Sequence, residues 1–224
     1  MNCSFALRVL LFLALATLCA PALSDDLFPP AWRGEPGTTV QQWLFSTNPP
    51  IPSGHVPADG LKNNPYGNPF YEVVGWHAYY GVYPDTWFGR SGILGVTASD
   101  PMYVTIPNTP ADPDRHKDVL VQLTWQSSWG KKPTVTATNP AGVVTDGSTV
   151  VLDANWSHST YSVYYPENPD SEVIKIGNSA GTIYLDQMVF DTRCVPEPSI
   201  LAMLGIGAIG LLGYRWRRRR AVAR

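Results

Sequence analysis

The sequence predicts an all-β body folded as a single β-sandwich, with an apolar helix at each end. Three observations lead there. Residues 23–195 hold 18 of the 21 prolines, spread widely, and proline breaks helices while suiting turns and strand edges. The same stretch contains no amphipathic helix. Its short β-branched and aromatic segments recur every ~10–15 residues between Pro, Gly and Asn turns, a rhythm of sandwiches and barrels and not of βαβ units. A body of roughly 170 residues can bury a sufficient core without disulfides.

The strands follow in chain order. Thr39–Phe45 lies between Pro36-Gly37 and Asn48-Pro49-Pro50, and Glu72–Val82 lies between Asn68-Pro69 and Pro84. Ile93–Thr97 and Met102–Ile106 flank the turn at Ser99-Asp100-Pro101. Val119–Trp125 is the clearest: Val119, Val121, Leu123 and Trp125 share one face, while Leu120, Gln122 and Thr124 share the other. That pattern fits a central strand with one face inward. Thr134–Thr138, Thr149–Ala154, Thr160–Tyr165 and Glu172–Ile176 are β-branched and aromatic runs separated by Gly, Asn and Pro. In Thr182–Phe190 the alternation changes parity at Asp186-Gln187, with Ile183 and Leu185 on one side and Met188 and Phe190 on the other. Such a shift marks a bulge or a strand crossing between environments.

The formal net charge of −2 is the sum of opposed parts. Residues 199–224 carry six arginines and no acid, residues 1–22 carry Arg8 alone, and residues 23–198 carry 9 basic against 18 acidic groups. No nucleic-acid partner is expected, because the dense positive cluster lies beyond an apolar stretch and not on the body. At 15% charged and 12% aromatic residues, the chain is no disordered acidic polymer either.

Metal-site and phosphate-loop motifs are missing from the body. His55, His77, His116 and His158 stand in none of the paired spacings of a transition-metal site, and there is no P-loop. Neither enzymatic activity nor a cofactor is expected. Asp112, Asp114 and Asp118 are the densest acids, and their proline-rich, base-flanked setting reads as a solvated loop. The aromatics between Trp76 and Phe88 give the one hint of binding: Tyr79 and Tyr83 share a face of a regular strand, and with Trp87 they could stack on a pyranose ring. Core packing is the commoner use of such rings.

Residues 1–22 read as a secretory signal peptide, with Arg8 before the apolar run Val9–Leu18 and small residues Ala20 and Ala22 where a signal peptidase would act. Its removal takes Cys3 and Cys19, leaving the exported domain, residues 23–194, with the single thiol Cys194 placed just after the last strand. At the other end, Pro198–Tyr214 is a charge-free run of 17 residues, about 25 Å as a helix, close to the hydrocarbon thickness of a membrane. A transmembrane helix is expected over residues 199–214. Arg215, Arg217, Arg218, Arg219 and Arg220 in the tail over residues 215–224 belong on the cytoplasmic side of the inner membrane, and this leaves the body outside.

The order Val195-Pro196-Glu197-Pro198-Ser199, apolar run, terminal arginine cluster resembles the PEP-CTERM sorting signal of exopolysaccharide-producing Gram-negative bacteria. The resemblance covers about residues 195–220 of the segment 195–224. It implies recognition by an exosortase, removal of the tail and transfer of the body to the cell envelope or extracellular matrix. Two prolines hold the recognition segment extended and unpaired, a form that a protease cleft can take.

The segments Thr160–Pro166, Glu172–Gly177 and Gly181–Phe190 resemble the final three strands of jelly-roll carbohydrate-binding and galactose-binding-like modules. The resemblance implies a jelly roll and a body able to contact exopolysaccharide. It also makes Asp186 the candidate ligand of a structural Ca²⁺, although the sequence shows no partner acids beside it.

Overall fold

Alternating strands need a partner layer for their apolar faces, and two sheets supply it. The computed structural model describes residues 25–45, 55–74, 82–83, 87–196 and 209, with only the backbone at 82–83. Among these residues are thirteen strands: β1 (Thr38–Trp43), β2 (Val56–Pro57), β3 (Lys62–Asn63), β4 (Phe70–Val73), β5 (Val82–Tyr83), β6 (Ile93–Thr97), β7 (Met102–Pro107), β8 (Arg115–Ser127), β9 (Thr134–Asn139), β10 (Val143–Val151), β11 (Ser157–Tyr165), β12 (Ser171–Gly177) and β13 (Thr182–Pro196). The larger sheet runs β10-β11-β8-β13-β1-β3, with β6 beside β13 and β5 beside β6, and the smaller runs β2-β4-β7-β12-β9. Every pairing is antiparallel. The signal segment over residues 1–22 and, apart from Ile209, the expected membrane helix over residues 199–214 lie outside the described residues.

The core forms between the sheets. Val119, Val121, Leu123 and Trp125 of β8 all enter it, as their spacing predicts, together with Met102, Val104 and Ile106 of β7 and Ile174 and Ile176 of β12. Phe190 of β13 meets Trp43 of β1 edge-on at 5.8 Å, and Trp43 meets Tyr71 of β4 in the same manner at 6.4 Å. The indole N–H of Trp125 donates to Ser159 Oγ at 2.9 Å, so its burial leaves no orphan donor. Truncating Leu123 to Ala here would cost about 2–5 kcal/mol through lost burial and the cavity left behind.

Four sequence expectations shift. The strand expected at Thr149–Ala154 begins instead at Val143, because Gly147 lies within a bulge and not at a turn. The β10–β11 register shifts between Asp146 and Thr149, and a Cβ on Gly147 would collide with Thr160. The turn itself comes later, where the Asp153 carboxylate accepts the N–H of Asn155 at 2.7 Å and of Trp156 at 2.9 Å. Second, β8 starts at Arg115, which puts Asp118 in a strand and not in a solvated loop. Third, the run expected over Glu72–Val82 ends as β4 at Val73, and residues 75–81 lie outside the described set. Fourth, β13 continues to Pro196, so Cys194 lies within the last strand and not after it. Of the bulge or strand crossing expected around Asp186-Gln187, the structure has a break in register between Leu185 and Gln187.

The outer face of the larger sheet is only half open. Residues 25–37 cross it as a strap: the N–H of Phe28 donates to Gln122 Oε1 at 3.0 Å, Gln122 Nε2 donates to Asp26 Oδ1 at 2.9 Å, and the Phe28 ring lies 5.6 Å from His158. Arg33 joins Asp26 on the strap to Asp191 on β13, reaching the Asp191 oxygens at 2.5 and 2.6 Å. This cover explains why Gln122, Thr124 and His158 are buried although their parity turns them away from the core.

Candidate functional site

The C-terminal segment leaves directly from the middle of the larger sheet. Strand β13 is paired on both sides, and its last residues oppose the first residues of β8: Cys194 with Lys117, Val195 with His116 and Pro196 with Arg115. Pro196 is exposed and Val195 half-buried. Proline offers no N–H, so it suits the last position of a ladder. The expectation of an unpaired motif is thus corrected for Val195 and Pro196, while Glu197, Pro198, Ser199 and the arginines at 215 and 217–220 lie outside the described residues, as do Ala20 and Ala22.

Beneath this exit is a buried polar cluster. The Cys194 thiol donates to Asn168 Oδ1 at 3.0 Å and accepts from Lys117 Nζ at 3.5 Å. Lys117 is itself fully buried, donates to Asn108 and pairs with Glu172 Oε1 at 3.4 Å. Asn168 donates to Thr109 Oγ1 at 3.0 Å. Burial raises the Glu172 carboxyl above its ordinary range, against the opposing pull of Lys117. The odd thiol, itself half-buried, is therefore bonded to this cluster at the end of the sandwich.

The expected ligand residues take other partners. Asp186, at the register break of β13, faces Arg90 at 2.5 Å, and the same guanidinium nitrogen also bonds Asp25 on the strap. Burial raises the Asp186 carboxyl although Arg90 pulls it down. Among the described residues, no three His, Cys, Asp or Glu side chains are grouped to hold a metal ion. Trp87 packs 5.2 Å from Tyr184 and edge-on to Phe88 at 5.3 Å, while Tyr83 lies in β5 opposite Ile93. Tyr79 lies outside the described residues.

A different set of aromatics frames a groove of about 320 Å³ on the open half of the larger sheet's outer face. Its floor is one cross-strand row, Val143–Tyr164–Asp118–Arg193, with Thr145–Ser162–Leu120 as the next row along. Trp32 and Pro30 of the strap form one wall. Arg193 Nε and Nη2 reach Asp118 Oδ2 at 2.9 and 2.8 Å, and the guanidinium lies 5.1 Å from the Trp32 ring. Tyr164 is 41% exposed and Val143 63% exposed. Sequence reasoning passes over these residues because they come from four separate segments. The one local signal was the parity of Ser162 and Tyr164, opposite to that of Tyr161, Val163 and Tyr165.

The family model for the PEP-CTERM protein-sorting motif matches residues 195–220. No curated protein matches the chain. The chain thus carries an exosortase-type sorting signal, which implies export and anchoring in the membrane at the C-terminus.

Proposed function

We propose that this chain, which carries a PEP-CTERM signal, is a surface or extracellular-matrix protein of an exopolysaccharide-producing Gram-negative bacterium, with no catalytic activity of its own. Signal peptidase acts near Ala20 and Ala22, the β body folds outside the inner membrane, and the helix over residues 199–214 holds it there with the arginines inside. An exosortase then reads Val195, Pro196, Glu197 and Pro198 and passes the body to the envelope or matrix. The observation that carries this reading is the sorting motif at residues 195–220 running on from the final strand of a folded β body. The adjacency of β1 and β13 within one sheet supports a jelly-roll reading of that body.

A pulse-chase immunoblot in strains with and without the exosortase tests it. A smaller mature form is expected only where the enzyme is present, and Pro196→Ala combined with Glu197→Ala and Pro198→Ala should abolish the conversion. Equal mature size in both strains would sink the processing reading. A carbohydrate-binding role toward the exopolysaccharide is supported by a second observation, the half-polar groove with its partly exposed aromatics.

A further inference from the structure

We infer that the groove between the strap and strands β10, β11 and β8 binds a pyranose segment of an uncharged polysaccharide, an assignment that rests on and deepens the matrix reading above. The floor divides into apolar and polar halves within one row of the sheet. Tyr164 and Val143 offer an exposed apolar surface at one end, and Asp118 with Arg193 offers charged hydrogen-bonding groups at the other. Ser162 and Thr145 add hydroxyls on the neighbouring row. A pyranose ring has the same division, with C–H faces that pack on aromatic rings and an equator of hydroxyls that both donate and accept.

The polar end is suited to hydroxyls and not to charge. Both Arg193 contacts fall on Asp118 Oδ2, and among the described residues no hydrogen bond reaches Asp118 Oδ1, which keeps its acceptor lone pairs for a ligand hydroxyl. The ion pair has no net charge, and the region 23–198 has twice as many acidic as basic groups, so a polyanion would be repelled. A peptide helix or lipid chain would bury Asp118 Oδ1 and the groove hydroxyls without offering them new partners, which is costly. The groove is at the lower end of ligand-cleft size, typically ~300–1,000 Å³, and so matches a sugar unit or two of a longer chain. Trp32 forms the wall with its ring beside Arg193, and Arg33 next to it is tied to Asp191, so the wall is fixed before any ligand arrives.

Affinity electrophoresis of the full chain in a sugar-free detergent, through gels containing dextran, galactomannan or hydroxyethyl cellulose, with alginate as the polyanionic arm, decides the matter. Retardation is expected in at least one uncharged gel. It should fall at least tenfold in Tyr164→Ala and in Val143→Glu, both at exposed positions that leave the core intact, and stay unchanged in Trp129→Ala, an exposed ring elsewhere on the surface. Failure of all three uncharged polymers to retard the protein would overturn the assignment, as would retardation by alginate alone or retardation that survives both groove substitutions. The assay needs no exosortase, so its failure leaves the sorting reading standing, and unprocessed protein in the pulse-chase leaves the groove assignment standing.

Discussion

Lys117 is the most consequential single residue of the interior, a fully buried ammonium whose charge partner, Glu172, is equally buried. A pair of this kind adds little net stability, yet breaking it strands one charge in a medium that cannot solvate it. Glu172→Ala should therefore destabilise the body by about 3–5 kcal/mol, whereas the double change Lys117→Met with Glu172→Leu should recover most of that loss. Urea unfolding midpoints would check both. His158 belongs to the same scale. Its Nδ1 lies 3.0 Å from Thr124 Oγ1 beneath Phe28, and burial lowers its pKa from 6.5 to about 4, with Asp26 pulling it up and Arg90 pushing it down. A lowered histidine pKa means that the unfolded chain binds the proton first. Its contribution is full above pH 6.5 and lost as the pH falls toward 4, on the order of 2 kcal/mol. The raised carboxyls of Glu172, Asp186 and Asp191 act in the opposite sense at acid pH, so the readout is the difference between the wild type and His158→Gln. That difference should fall by this amount between pH 6.5 and 4 and stay constant below pH 4 if His158 carries the slope.

Among the elements, β13 connects fold and sorting. Its last three residues remain in the ladder with β8, and Cys194 is held from the side by Asn168 and Lys117. Peeling the strand back beyond Cys194 would expose the buried Lys117–Glu172 pair. The C-terminus of the processed protein is thus expected at or beyond Pro196, and intact mass spectrometry of the mature form would read it directly. A mature C-terminus before Cys194 would show that the strand end opens freely. The strap is the second such element: Asp191 is fully buried and meets Arg33, so Arg33→Ala should cost about 3–5 kcal/mol by leaving that carboxylate uncompensated. Parity made β8 and the break at Asp186 legible in the sequence, since period-two alternation is a local property. The start of β10 was not legible, because Gly147 looks alike in a bulge and in a turn until its partner strand is known.

For the whole molecule, the division of charge matters more than its sum. The export and sorting segments hold 7 basic groups and the region between them is acidic, so removal of both ends leaves a strongly acidic body. Acidity favours solubility outside the cell and disfavours simple electrostatic adhesion to acidic polymers. Among the described residues, the strap covers part of the larger sheet's outer face and the groove lies beside it. What the sequence determined by itself was everything encoded by contiguous residues: the all-β class, the faces of β8, the break in alternation at Asp186 and the sorting signal at residues 195–220. Tertiary structure alone decided which separated residues meet. It gave Asp186 to Arg90, drew Cys194 into the Lys117 cluster, placed the strap across one sheet, and assembled Trp32, Tyr164, Asp118 and Arg193 into a groove. The physical reason is that alternation fixes which way a side chain points, whereas antiparallel pairing between distant strands fixes what it points beside.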